Sequence, residues 1–294
     1  MKNITKVGLS ALAGSLVMVS ANAVDYSMSG SLQSVYSTQD SPTTADTTNG
    51  KGLTTATDLT FSAAGELDNG FTVGYMMAVD TDGALSNTSS QLTVGMGSLG
   101  TLQVNNKGGS KANAIDDITP HAYNETWDGL SNVNPSTFGS RTSSGSLDYR
   151  IPAQELMGVT LNASVTLDPN ASESSVTKSG VGTTSVSGTA YTLQLAHESG
   201  LEIGGGIESV DDDSGVAKGS GTEEVTAYVK FAAGGLTAAY QEGYTNSRNG
   251  TSVEGADVET SFMGIAYTAG DVTISYAESS SQTKAIGSTA AGVE

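Results

Sequence analysis

Four carboxylates, Asp116, Asp117, Glu125 and Asp128, sit in the longest irregular segment of the chain, about 106–143, and Arg141 lies at its end. Two more bases, Arg150 and Lys230, occupy polar positions of alternating stretches elsewhere. A row of carboxylates along a confined watery path, faced by bases, sets a transverse field that sorts ions by sign. The competing assignment is a solvated loop, with some of the acids capping a short helix near Ala114–Ile118. A second acidic group, Asp211-Asp212-Asp213 with Glu223 and Glu224 across the same loop, offers the oxygen ligands that Ca2+ takes; its alternative is a solvated acidic loop. Covalent chemistry has little to work with. His121 and His197 are the only histidines and there is no cysteine, too few for a zinc site or a catalytic triad. No glycine-rich phosphate loop, nucleophile elbow or metalloprotease motif occurs, so no cofactor is expected. Trp127, the sole tryptophan, reads as a packing anchor for its own loop. A net charge of −19 disfavours nucleic acid.

The elements that must position these residues are strands. In Leu59–Val79, the residues Leu59, Phe61, Ala63, Gly65 and Leu67 share one parity, Asp68-Asn69-Gly70 interrupts, and Phe71, Val73, Tyr75, Met77 and Val79 resume it. Period-two alternation marks a strand with one apolar and one polar face, and Asn-Gly suits a tight hairpin. Each arm has about ten residues, enough at roughly 3.3 Å per residue to cross a bilayer's hydrocarbon core at a tilt. The unit recurs, giving about thirteen strands. Tight turns at 68–70, 97–100, 152–158, 198–200, 232–235 and 268–271 alternate with long polar loops, as in a transmembrane barrel. The polar face carries Glu66, Asp148, Arg150, Glu202, Tyr228 and Lys230; the apolar face lacks charge through most spans. Tyr and Phe gather near strand ends, in the manner of interfacial belts.

Met1–Ala23 reads as a secretory signal: Lys2 and Lys6, an apolar run from Val7 to Val19, then Ala21-Asn22-Ala23. No later stretch resembles a spanning helix. An exported chain integral to a membrane without such helices must be a barrel, occupying residues 24–294.

The junction ANAVDYSMSG, the hairpin LTFSAAGELDNGFTVGYMMAV, the unit VGMGSLGTLQV and the segment AIDDITPHAYNETWDGL resemble the trimeric general porins of Gram-negative bacteria, the alphaproteobacterial type above all, over nearly the whole chain. The resemblance implies an antiparallel transmembrane β-barrel of the 16-stranded type, a homotrimer in contact with outer-membrane lipid and lipopolysaccharide. It also implies that segment 106–143 folds inward as a constriction, with Asp116, Asp117, Glu125 and Asp128 facing Arg141, Arg150 and Lys230. Small hydrophilic solutes and ions would then diffuse passively through a water-filled lumen, and the acidic excess of the chain suggests mild cation selectivity. Two features depart from the family: the chain ends TAAGVE rather than on a closing strand with a terminal aromatic, and thirteen strands is an odd number. Both suggest a C-terminally truncated sequence and a gapped barrel. The rival readings are a secreted or surface-associated β-structural or binding protein, and an enzyme built on a barrel.

Overall fold

The computed structural model describes residues 24–39, 50–80, 85–122, 138–169, 186–212, 220–249, 253–254 and 257–284. The signal segment therefore lies outside the described residues. Within them the chain is almost entirely strand: β1 (Asp25–Gln39), β2 (Gly50–Glu66), β3 (Thr72–Asp80), β4 (Ser86–Gly95), β5 (Thr101–Lys107), β6 (Ser146–Arg150), β7 (Gln154–Leu156), β8 (Val159–Asp168), β9 (Val186–His197), β10 (Leu201–Asp212), β11 (Ser220–Ala233), β12 (Leu236–Asn249), β13 (Val253–Glu254), β14 (Asp257–Ala269) and β15 (Val272–Lys284). All pairings are antiparallel and join neighbours in sequence, apart from the two short strands β7 and β13, which sit off the main path. Among the described residues the path runs from β1 to β15 and does not close on itself.

The register makes the two faces explicit. One row across the sheet reads Gly65–Val73–Val94–Leu102–Tyr149–Val165–Tyr191–Ile207–Val225–Tyr244. The next row reads Ala64–Gly74–Thr93–Gln103–Asp148–Thr166–Ala190–Glu208–Glu224. Paired residues share a face, and one step along a strand changes it. The apolar row lies on the outside: Tyr191 is 58% exposed and Ile207 55%, whereas Asp148 and Glu208 are both 0% exposed. A water-soluble β protein has the opposite arrangement, with polar residues out and apolar residues packed within. The inversion suits a sheet that meets hydrocarbon on its outer surface.

Strands run further than their apolar alternation predicts. β10 continues through Asp211 and Asp212, so the acidic loop does not begin at Asp211; β2 starts at Gly50, within what reads as a polar loop. At these ends the apolar alternation lapses while the backbone pairing continues. The segment 152–158 is not merely a turn: Gln154–Leu156 forms β7 and pairs with Val159–Leu161. The expected constriction segment, about 106–143, is shifted, because β5 extends to Lys107 and β6 starts at Ser146.

Candidate functional site

The segment between β5 and β6 lies against the polar face of the sheet. It begins at Gly109, whose carbonyl accepts from Gln103 Nε2 on β5 (2.7 Å) and Arg150 Nη2 on β6 (3.0 Å). Lys111 N then donates to Asp148 Oδ2 (3.2 Å). A single 3-10 turn follows at Asn113–Ile115, and Gln241 of β12 secures its end. The buried Gln241 amide donates to the carbonyls of Ile115 (2.8 Å) and Asp116 (3.1 Å), and its oxygen accepts from Ile118 N (2.8 Å). Further on, Thr119 and Pro120 pass over Gly264 of β14, and Ala122 N donates to Ser275 Oγ on β15 (2.8 Å).

The returning arm is held by carboxylates. Glu208 on β10 accepts from Gly139 N at Oε2 (2.9 Å) and from Thr142 N at Oε1 (2.9 Å). Glu224, directly opposite Glu208 in the register, pairs with Arg141 Nε at 3.2 Å. Side by side, two buried acids repel; the guanidinium and two backbone N–H groups offset this. Two glycines make the approach feasible. Gly139 has φ +73° and presses its α-carbon against the backbone of Ala112 and Asn113, where a side chain would clash. Gly206 on β10 leaves the slot that Phe138 fills: an added Cβ would stand 2.4 Å from the Phe138 ring. Ala112, Ile115 and Phe138 from the segment meet Ala190 and Tyr228 from the wall, with Ile118 against them, in a small dry cluster on the otherwise polar face.

A family model of Gram-negative porins matches residues 8–294. The chain belongs to the Gram-negative porin family. Solved structures with a similar fold include a porin refined at 1.8 Å resolution (TM-score 0.57, 11% identity, covering 88% of this chain and 84% of that one). OmpF of Salmonella typhi in complex with daunomycin is another (TM-score 0.52, 14% identity, 88% and 79% covered). An anion-selective porin from Comamonas acidovorans matches with TM-score 0.51 at 11% identity, covering 90% of each chain. At such identities the likeness concerns fold alone. No curated protein sequence matches the chain. Family membership makes the protein an outer-membrane channel.

The porin places its sequence-predicted residues unevenly. Asp116 and Asp117 are half-buried on the segment and serve it locally. Asp116 Oδ1 accepts from Asp117 N (2.8 Å), and Asp117 Oδ1 accepts from Thr119 N (2.7 Å) and Thr119 Oγ1 (2.5 Å). Burial pushes the Asp116 carboxyl above the usual range; the Asp117 N–H pulls it down and the Asp117 charge adds to the rise. Glu125, Asp128 and Trp127 lie outside the described residues. Arg141 and Arg150 pair with neither Asp116 nor Asp117. Arg150 Nε binds Asp148 at 2.8 Å on the wall behind the segment, and Arg141, on the returning arm of the segment itself, binds Glu224 of the wall. Lys230 faces the same side, opposite Glu202 in the register. Of the acidic group considered for Ca2+, Asp211 lies in β10, Asp212 ends it and Asp213 is outside the described residues. Glu224 points to the other face from Asp211, toward Arg141. Among the described residues no three acids, histidines or cysteines gather around a metal position.

Sequence reading missed Glu208, Gln241, Phe138 and Gly206. Only Glu208 carried a signal, as a second acid, after Glu202, at an inward position of β10. The others hold backbone or fill gaps created by residues far away in the chain.

Proposed function

We propose that the chain forms a water-filled outer-membrane pore for passive diffusion of small hydrophilic solutes and ions, with a preference for cations. The observation that carries this is the pair of adjacent rows, one largely apolar and outward from β2 to β12, the other largely polar and inward from β2 to β11. Such a wall stabilises a lumen that excludes lipid and needs no covalent chemistry. In this reading the segment between β5 and β6 narrows the lumen. Asp116 and Asp117, with Glu125 and Asp128 further along, supply negative charge, while Arg141 and Arg150 are neutralised by Glu224 and Asp148. The inner face of β1–β3 offers Ser29, Ser31, Thr60 and Ser62 with Asp58 and Asp80, and no base. This favours a net negative path over a balanced transverse field, with Lys230 as the wall base nearest that role. Export through Met1–Ala23, a homotrimer contacting lipid and lipopolysaccharide, and calcium at Asp211–Asp213 complete the proposal. The test is conductance in a planar bilayer under a tenfold salt gradient. Stepwise insertion with a reversal potential of cation sign is expected. Absence of conductance refutes the pore, and an anion-sign potential refutes the charge assignment.

A further inference from the structure

The outer surface of the sheet is not uniform. One hydrogen-bonded row across it reads Leu193–Gly205–Ala227–Glu242–Ser261–Ser280. After Leu193 every member except Glu242 is small. The row on one side holds Ile207, Val225 and Tyr244, and the row on the other holds Ile203, Val229 and Tyr240. Small side chains between two lines of large ones leave a trough in the wall. Its Gly205 end opens into a hollow of about 400 Å³, with Leu193, Ile203 and Ile207 among its walls. The Glu242 end opens into a second hollow of about 550 Å³, bounded by Tyr240, Tyr244, Ser261 and Ser280. Val225 borders both. With strands about 4.8 Å apart, Gly205 and Ser280 are roughly 19 Å from one another.

The trough changes chemistry along its length. The Gly205–Ala227 end is apolar. The other end presents the Glu242 carboxylate, which accepts from Tyr240 Oη (2.5 Å), and the paired hydroxyls of Ser261 and Ser280 (2.8 Å). Glu242 lies six residues into β12 from Leu236. At the same distance from the turn β8 places Val165, β10 Ile207 and β14 Met263. A carboxylate at that level facing bare acyl chains is costly. No lysine or arginine occupies the trough or the two rows beside it.

We infer that this trough is a binding site for a membrane lipid whose headgroup carries an ammonium group. The acyl chain lies over Gly205 and Ala227, the ammonium pairs with Glu242, and the serine hydroxyls accept or donate beside it. The occupant follows from position and charge. The site faces hydrocarbon, begins apolar and ends at the Glu242 carboxylate, with Glu259 and Glu278 in the two flanking rows and no base among the described residues of the three rows. A second copy of the chain is less suited, since the outward rows named above bring no base to Glu242. The inference rests on the membrane-spanning reading of the sheet and is independent of what passes through the lumen.

The full chain, folded into vesicles of equal parts phosphatidylethanolamine and phosphatidylglycerol, is extracted mildly and its retained lipid measured by native mass spectrometry. The amine-bearing lipid is expected to be retained at least fivefold over phosphatidylglycerol. Glu242→Gln should bring the ratio close to one. Ala227→Phe, which fills the trough, should reduce retention of both lipids. Both substitutions face outward, so each variant should keep the parent's bilayer conductance. Equal retention by the parent, an unchanged ratio in Glu242→Gln, or cross-linking of Ser261 to a second copy overturns the lipid site. Loss of conductance in the parent would instead strike the pore reading.

Discussion

Glu208 has the clearest single-residue consequence. It is fully buried, and its two oxygens accept the backbone N–H groups of Gly139 and Thr142. Glu208→Ala leaves two buried donors unpaired, a loss of about 3 kcal/mol. Urea unfolding in lipid vesicles should show that destabilisation, and single-channel records should become larger or noisier as the returning arm loosens. Asp116 sets a pH dependence. Because burial raises its pKa in the folded chain, the folded state holds this proton more tightly than the unfolded one. Its ionised form therefore costs stability, and that cost disappears as pH falls through the raised value, opposite to a salt-bridged acid. The lumen should begin to lose negative charge above the ordinary carboxylate range. Reversal potentials measured from pH 7 downward should show cation preference falling early, and Asp116→Asn should abolish the early part. Asp148 and Arg150 were legible as lumenal from parity alone. Gln241 was not, because its partners Ile115, Asp116 and Ile118 are over a hundred residues away and are backbone atoms, which leave no mark on side-chain chemistry.

At the level of elements, alternation located the strands and misjudged their ends. β8 reads almost in full from Val159, Leu161, Ala163, Val165 and Leu167, and the structure adds only Asp168. β12 continues from Tyr240 to Asn249 because Tyr244, Thr245 and Asn246 still pair with β11 outside the apolar belt. Hydrophobic period reports lipid contact, whereas strand length reports hydrogen bonding. The two coincide only where the sheet meets hydrocarbon. β7 escaped notice for a related reason: three residues are too few to show a period. Ile265 lies outward on β14 and Ser29 inward on β1. Ile265→Lys should cost about 2–4 kcal/mol in unfolding experiments from vesicles, and Ser29→Lys less than about 0.5 kcal/mol. Equal costs would contradict the assignment of faces.

For the whole molecule, the chain reads as a wall whose chemistry is inverted relative to soluble proteins, and this was evident from residue order. The route taken by the segment between β5 and β6 was not. Its contacts run from Gln103 on β5 round to Ser275 on β15, so it can find its place only once most of the wall exists. The wall itself assembles from hairpins between consecutive strands, which are local contacts. The cluster around Phe138 and Tyr228 instead needs loop closure across nearly a hundred residues. Refolding should therefore occur in two stages. Trp127 belongs to the same segment and is the only tryptophan, so its fluorescence reports on that segment alone. In a refolding time course it should lag the circular dichroism of the sheet, and newly inserted channels should conduct more at first than after the lag has passed.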